Sequence, residues 1–380
     1  MTQISSAAEL AELRDSVRDF LAAKSGEQQV RAAIETERGY DDALWRQMAD
    51  QLGLPGLALP EEYGGDGFGF AELQVVLEEL GRFLTPGPFF SSVILAAGAI
   101  LATGDEAAAK AYLPGIASGG TTAALAVAES DGRWSLPELA TTARPASAGS
   151  DGSDGWRVTG TKQFVLNGAT ADLLIVAAQT DQGPSFFAIQ SDAPGLRRTA
   201  LTTLDLTRPM ATLDLADTPA RLIGTAGAAG QPLDAVLDRA MTALAAEQAG
   251  AARACLEASA SYARERHQFG RAIGSFQAVK HKCADMLVKV ELAQAAATEA
   301  ARAAAGDPDA APLREAAAVA HAVCSEGFMF VAMENIQVHG GIGFTWEHPA
   351  HLYFRRAKAS QLMFGGPGVY YEHLLAQARI

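Results

Sequence analysis

From Pro232 to Arg264 the apolar residues Leu233, Val236, Ala240, Leu244, Ala251, Ala254 and Ala258 recur at three- and four-residue steps. That is the period of one helical face, and proline suits the first turn of such a helix. A long helix with an apolar stripe needs partners to cover it, and two further periodic runs, Ser275–Ala305 and Pro312–Asn335, supply them. In the middle of the stripe stands Glu247, the only acidic residue between Asp238 and Glu257. A carboxylate among Ala240, Ala243, Leu244 and Ala251 is costly unless paired or neutralised. Three readings of it are open. The helical phase is off by one and Glu247 is exposed, or it meets an arginine from a neighbouring element, or it is a general base beside small residues that leave room for a substrate.

The rest of the chain falls into blocks around this helix. Ala7–Lys24, Asp41–Leu52, Phe70–Arg82, Phe90–Thr103 and Glu106–Ile116 read as helices, with a Pro/Gly-rich connection, LGLPGLALPEEYGGDGFG, between the second and third. EELGR closes the third, its glycine read as a C-terminal cap. From about residue 121 the pattern changes to short alternating segments, TTAALAVAES, WRVTGTKQFVLNG, ADLLIVAAQT, PSFFAIQ and ATLDLADTPARLIG, separated by turn residues. ARPASAGSDGSDGW, between the first two, reads as a loop, and so does ARAAAGDPDAAPL further on. A shorter helix near His351–Gln361 and a last one from Val369 finish the chain. The expected fold is α+β multidomain: a helical domain over 1–120, a β-barrel or sandwich domain over 121–228 and a helical bundle over 229–380.

Charge and composition narrow the function. A net charge of −14 speaks against a nucleic-acid surface, although a few local arginines can still hold a small anion. The apolar runs are interrupted well short of the ~20 residues of a membrane span, and the N-terminus reads as an amphipathic helix rather than a signal peptide. A cytoplasmic protein is expected. Cys255, Cys283 and Cys324 have no metal-like spacing and read as free thiols, with no metal site expected. No strand-linked GxGxxG and no P-loop is present. QVHGGIGF offers paired glycines, Gly340 and Gly341, with bare N–H groups; it is either a phosphate or ring-edge contact or simply a turn. Arg266, Gln268 and Phe269 put a planar cation, an amide and an aromatic within four residues, fit to clamp a pyrophosphate or to end a helix in solvent. His339 reads as a hydrogen-bonding filler, and Arg355 and Arg356 as divided between solvent and a structural carboxylate.

Five motifs in order, LGLPGLALPEEYGGDG, EELGR, VTGTKQFVLNGATAD, YARERHQFGRAIGSFQAVKHKCADM and QVHGGIGFTWEHPAHLYFRRAKA, give the chain a resemblance to the acyl-CoA dehydrogenase family over nearly its whole length. The family fold is a helical N-terminal domain, a β middle domain and a C-terminal four-helix bundle. The resemblance implies FAD, an acyl-CoA substrate, removal of the α-proton by a carboxylate and hydride transfer from the β-carbon to flavin N5, leaving a trans-2-enoyl-CoA. It also implies that the flavin ribityl chain and the backbone of the catalytic residue polarise the thioester carbonyl. By position, Arg266, Gln268, Phe269 and Gln277 match flavin contacts of one subunit, and Gln337, Gly340 and Gly341 match contacts from a facing subunit. Phe164 and Leu166 match the strand beside the isoalloxazine. A homodimer, homotetramer or heterotetramer is implied, with an electron-transfer flavoprotein-like acceptor.

Three departures from the family pattern bear on the substrate. Phe364 stands where most members carry the base, while Glu247 lies on the bundle helix, about two turns beyond the minority position near Ala240. This arrangement resembles actinobacterial subunits acting on steroid side-chain CoA thioesters. Ala128 replaces a flavin-bonding threonine while Glu129 is retained, and Met241 replaces a substrate-site arginine. The resemblance thus implies lipid breakdown by β-oxidation with Glu247 as base and a bulky, steroid side-chain-like acyl group. A non-catalytic partner subunit and an acyl-CoA oxidase are its rivals.

Overall fold

The computed structural model describes residues 5–137, 139–146, 155–306 and 311–377. The chain opens with α1 (Ala7–Lys24), whose Ser6 and Glu9 form a reciprocal capping box. It continues through α2 (Glu27–Ile34), α3 (Asp42–Leu52), α4 (Phe70–Arg82), α5 (Ala97–Ala102) and α6 (Glu106–Ala117). The sequence reading passed over α2, a helix of eight residues following directly on α1. The run expected as one helix from Phe90 is divided: Phe90–Ala96 is π-helical and only then does α5 begin. π-Helical turns are uncommon and cluster where a helix serves a site; this one carries Phe90 to the crevice described below.

The β domain holds β1 (Ala123–Ala126), β2 (Thr142–Pro145), β3 (Trp156–Leu166), β4 (Leu173–Thr180), β5 (Gly183–Gln190), β6 (Leu196–Ala200) and β7 (Met210–Ile223). Ladders run β4–β2–β3–β7–β5, and β5 pairs again with β4, closing a ring with β1 and β6 attached. Its interior is lined by alternate residues such as Val158, Leu174, Val176, Phe187 and Leu213. Two boundaries differ from expectation. Ala143–Pro145, read as the start of a loop, pair with β3; the remainder of that stretch, 147–154, lies outside the described residues. β6 was missed because LRRTA exposes most of its side chains and shows no apolar alternation.

The C-terminal part contains α7 (Gly230–Glu265), a short hairpin of β8 (His267–Gln268) and β9 (Arg271–Ala272), α8 (Gln277–Ala304), α9 (Ala311–His339), α10 (Ala350–Leu362) and α11 (Pro367–Gln377). α8 ends at Ala304, as the helical run Ser275–Ala305 led one to expect, and the overlapping loop reading of 301–304 does not hold. By length and composition α9 is apolar enough to cross a membrane, unlike the sequence expectation, but 61% of that apolar window is buried inside the fold. The arrangement is the expected one: helical domain, β domain, helical bundle.

One crossing sets the site. α4 lies against α7 so closely that a Cβ on Gly81 would stand 2.0 Å from the Glu247 carbonyl oxygen, and one on Gly250 would stand 1.9 Å from that of Glu78. Gly81 is therefore not the cap it resembles. It lies within the last turn of α4, where the absence of a side chain lets two backbones meet.

Candidate active site

Glu247 points inward and is 6% exposed. The helical phase is as read from the sequence, and the partners are arginines, two of them. Arg208, on the β6–β7 connection, donates from Nη2 to both carboxylate oxygens at 2.6 Å. Arg356 of α10 donates from Nη1 to Oε1. Arg356 is itself tied to Asp205 Oδ2 at 2.7 Å and to Thr207 Oγ1, and Thr207 in turn donates to Asp205. Two carboxylates and two guanidinium groups thus balance within one buried cluster, as burial of charge demands.

The two arginines are held unequally. Burial works against the charge of Arg356, but Asp205 and Glu247 outweigh it and raise its pKa above the ordinary arginine value. For Arg208 burial prevails, helped by the nearby charge of Arg356, and the pKa falls despite Glu247. The remaining contacts of Arg208 are soft: Nη1 donates to the Met363 thioether at 2.9 Å, and the guanidinium lies 5.1 Å from the Phe90 ring centre.

These groups line a narrow crevice with Leu77, Leu80, Phe89, Phe90, Leu166 and Asn167. Phe364 packs against Phe90 of this lining. Its ring stacks at 6.3 Å from Phe90 and meets Trp134 edge-on at 5.0 Å. Phe364 has a φ of 59° and Gly365 one of 105°. Tyr370 donates to the Phe364 carbonyl at 2.6 Å, and the buried His321 donates from Nε2 to that of Gly365 at 3.0 Å. Met241 is buried on α7, away from solvent.

The other sequence candidates divide between this crevice and the surface. Leu166 lines the crevice, while Phe164, two residues earlier on β3, is 44% exposed with a φ of 55° at a register shift in the ladder. Nearby, Glu129 accepts from the backbone N–H groups of Ala140 and Thr141 and pairs with the fully buried Lys162 at 2.8 Å. Burial opposes the charge of Glu129, but Lys162 and the two backbone donors bring its pKa down to about 2, and burial brings that of Lys162 down to about 8. Arg266 caps α7, and Gln268 and Phe269 follow on the hairpin. They and Gln277 at the start of α8 are exposed, Phe269 by 91%. Gln337, Gly340 and Gly341 lie exposed at the end of α9, and a Cβ at either glycine would meet nothing within 4 Å. His339 is a filler, as read: it is 5% exposed and donates from Nδ1 to the Asn335 carbonyl. The cysteines are free, and among the described residues no cluster suited to a metal occurs. Sequence reasoning missed Arg208 and Asp205, which sit in an irregular connection where no periodic signal marks a site.

Comparison with known proteins agrees with this arrangement. Residues 7–120, 124–215 and 232–377 match the N-terminal, middle and C-terminal domains of acyl-CoA dehydrogenases. Acyl-CoA dehydrogenase IpdE2 of Mycobacterium tuberculosis is 35% identical over 93% of this chain and 92% of its own. The chain belongs to the acyl-CoA dehydrogenase family. Among solved structures, the Tcur3481–Tcur3483 steroid ACAD variant is similar at 36% identity and a TM-score of 0.86, covering 98% of this chain and 99% of that one. The ChsE4–ChsE5 complex of Mycobacterium tuberculosis is similar at 31% identity and a TM-score of 0.86, covering 100% and 99%. As a member, this acyl-CoA dehydrogenase is a flavoenzyme-fold oxidoreductase of lipid metabolism, close to actinobacterial steroid side-chain subunits.

Proposed function

We propose that this acyl-CoA dehydrogenase converts an acyl-CoA thioester to its trans-2-enoyl-CoA with Glu247 as the base, and that the acyl group is bulky and steroid side-chain-like. The observation carrying the reading is the buried carboxylate of Glu247 on α7, facing a crevice beside the β3 strand that ends at Leu166. FAD is the cofactor we assign. The exposed set Arg266, Gln268, Phe269 and Gln277 fits it chemically, with donors for phosphate and ring oxygens and a free aromatic face. When bound, FAD would supply the hydride acceptor for the β-carbon. The protein's own part is proton chemistry. Arg356, anchored on Asp205 and Thr207, fixes the Glu247 carboxylate; Arg208 must move off it before a proton can be taken from the α-carbon, since its N–H bonds occupy both oxygens. The exposed Phe269, Gln337, Gly340 and Gly341 suit a cofactor shared across a subunit interface. An electron-transfer flavoprotein-like acceptor and an oligomer, homomeric or with a homologous chain, complete the proposal, with domain limits near 120 and 229.

Anaerobic bleaching of the flavin band near 450 nm by a panel of straight-chain, branched and steroid CoA thioesters tests the activity and its acyl preference. Glu247→Gln is expected to keep its flavin and lose the bleaching; bleaching at the wild-type rate sinks the assignment of the base. The doubly clamped carboxylate favours one other reading, a partner subunit that completes the flavin site of a homologous chain. A colourless, inactive protein that turns yellow and active only on co-expression with that homologue would decide for it.

A further inference from the structure

Buried polar side chains are nearly always hydrogen-bonded, so one that is not calls for a partner. Asn167, which follows directly on β3, is 5% exposed, and its Nδ2 has no hydrogen-bond partner among the described residues. Of the buried side-chain atoms in that state, it alone belongs to a residue lining the crevice that holds Glu247 and Arg208. The backbone accounts for the residue type but not for the amide. Asn167 has a φ of 53°, which asparagine tolerates and glycine adopts freely. Its N–H donates to the Pro209 carbonyl at 2.9 Å, and its carbonyl accepts from the N–H groups of Thr170 and Ala171 at 3.1 and 3.0 Å. Glycine would make the same turn without burying an unpaired donor.

We propose that Asn167 is a specificity residue: its amide donates to a neutral oxygen, keto or hydroxyl, carried by the acyl group of the substrate. The inference deepens the proposed function and rests on it. Asn167 shares the crevice with the proposed base, so a ligand seated against Glu247 is brought to this wall as well. The Nδ2 group donates, and its partner must therefore accept. That partner is uncharged, because the buried cluster is already balanced, Arg208 and Arg356 against Glu247 and Asp205. An acyl carboxylate would add a buried negative charge with no counter-ion. The thioester carbonyl is not the oxygen meant, since the family resemblance gives it to the flavin ribityl chain and the backbone of the base. Leu77, Leu80, Phe89 and Phe90 offer the rest of an acyl group apolar contact only. A lone buried donor in such a wall discriminates by staying unpaired when the acceptor is absent.

Enoyl thioesters bind without being dehydrogenated, so calorimetry on the purified flavoprotein can compare trans-3-cyclohexylpropenoyl-CoA with its analogues bearing a keto oxygen on ring carbon three or four. The wild type is expected to bind one keto analogue roughly 10- to 100-fold more tightly than the parent. Asn167→Gly, which keeps the turn and removes the amide, is expected to bind the parent as the wild type does and to lose that preference. Asn167→Ala serves in its place if the glycine variant does not purify. The comparison of keto analogue with parent isolates the amide, since a purely structural role for Asn167 shifts both ligands alike. A keto preference that persists in Asn167→Gly overturns the proposal and leaves Glu247 to be judged by flavin bleaching. A wild type that binds the parent and shows no preference also overturns it, and the amide then meets water alone. Binding of neither parent nor analogue overturns the acyl-CoA reading, and this inference with it.

Discussion

At the scale of single residues, the members of the candidate site were unequally visible. Glu247 stood out because one acid in an alanine-rich stripe breaks the pattern, and burial bears that out. Arg208 and Asp205 did not, because a basic and an acidic residue in an irregular connection read as ordinary surface until the fold brings them against α7. The same applies to His351 on α10, which is 7% exposed and stacks edge-on with Trp346 at 4.5 Å, its Nε2 without a hydrogen-bond partner among the described residues. Burial, with the charges of Arg31 and Arg355, lowers its pKa from 6.5 to about 4. Between those values the unfolded chain holds a proton at this residue that the folded protein does not, so stability falls as pH drops through the window and is unaffected above it. Neighbouring His339, 4.3 Å from His348 ring to ring, and His348 itself are shifted in the same direction by burial. Replacing His351 by phenylalanine is expected to flatten the decline in melting temperature between pH 6.5 and 4, leaving the value at pH 7.5 nearly unchanged; a profile parallel to the wild type counts against the assignment.

Elements were legible in proportion to their length and periodicity. The three long helices α7, α8 and α9 follow the apolar repeat, and β3, β4, β5 and β7 alternate or run apolar. What escaped was short or set by tertiary contact: α2, β6, and the π-helical turn that breaks the run from Phe90. The crossing of α4 and α7 belongs here too. Its glycines looked like a cap and an ordinary helical residue, and only the approach of two backbones reveals their role. Gly81→Ala would press a methyl against the carbonyl of Glu247 itself, and Gly250→Ala against that of Glu78. Each is expected to cost about 3 kcal/mol or more by overpacking, since backbone on a helix has nowhere to yield. Chemical denaturation measures the loss; a change below about 0.5 kcal/mol would mean the helices separate freely. Gly341→Ala, which meets nothing, serves as the control.

For the whole molecule, the three-part order was readable because the hydrophobic period changes from helical to alternating and back. The proposed quaternary contacts rest on family resemblance alone, since exposed residues carry no periodic signal of what covers them. Phe269 and Phe344 are 91% and 80% exposed, an unusual presentation for phenylalanine in a finished surface. Arg266→Ala is expected to lower the ratio of flavin to polypeptide after purification, read from the visible spectrum; an unchanged ratio removes Arg266 from the cofactor site.

The charge cluster has a consequence for how the enzyme is completed. Its members come from three separate segments: Asp205 and Arg208 from the strand connection, Glu247 from α7 and Arg356 from α10. A chain whose barrel has not seated on its bundle leaves Glu247 with a single counter-ion or none. Seating the barrel on the bundle thus also brings a second guanidinium to Glu247, so the fold and the proposed base are completed together.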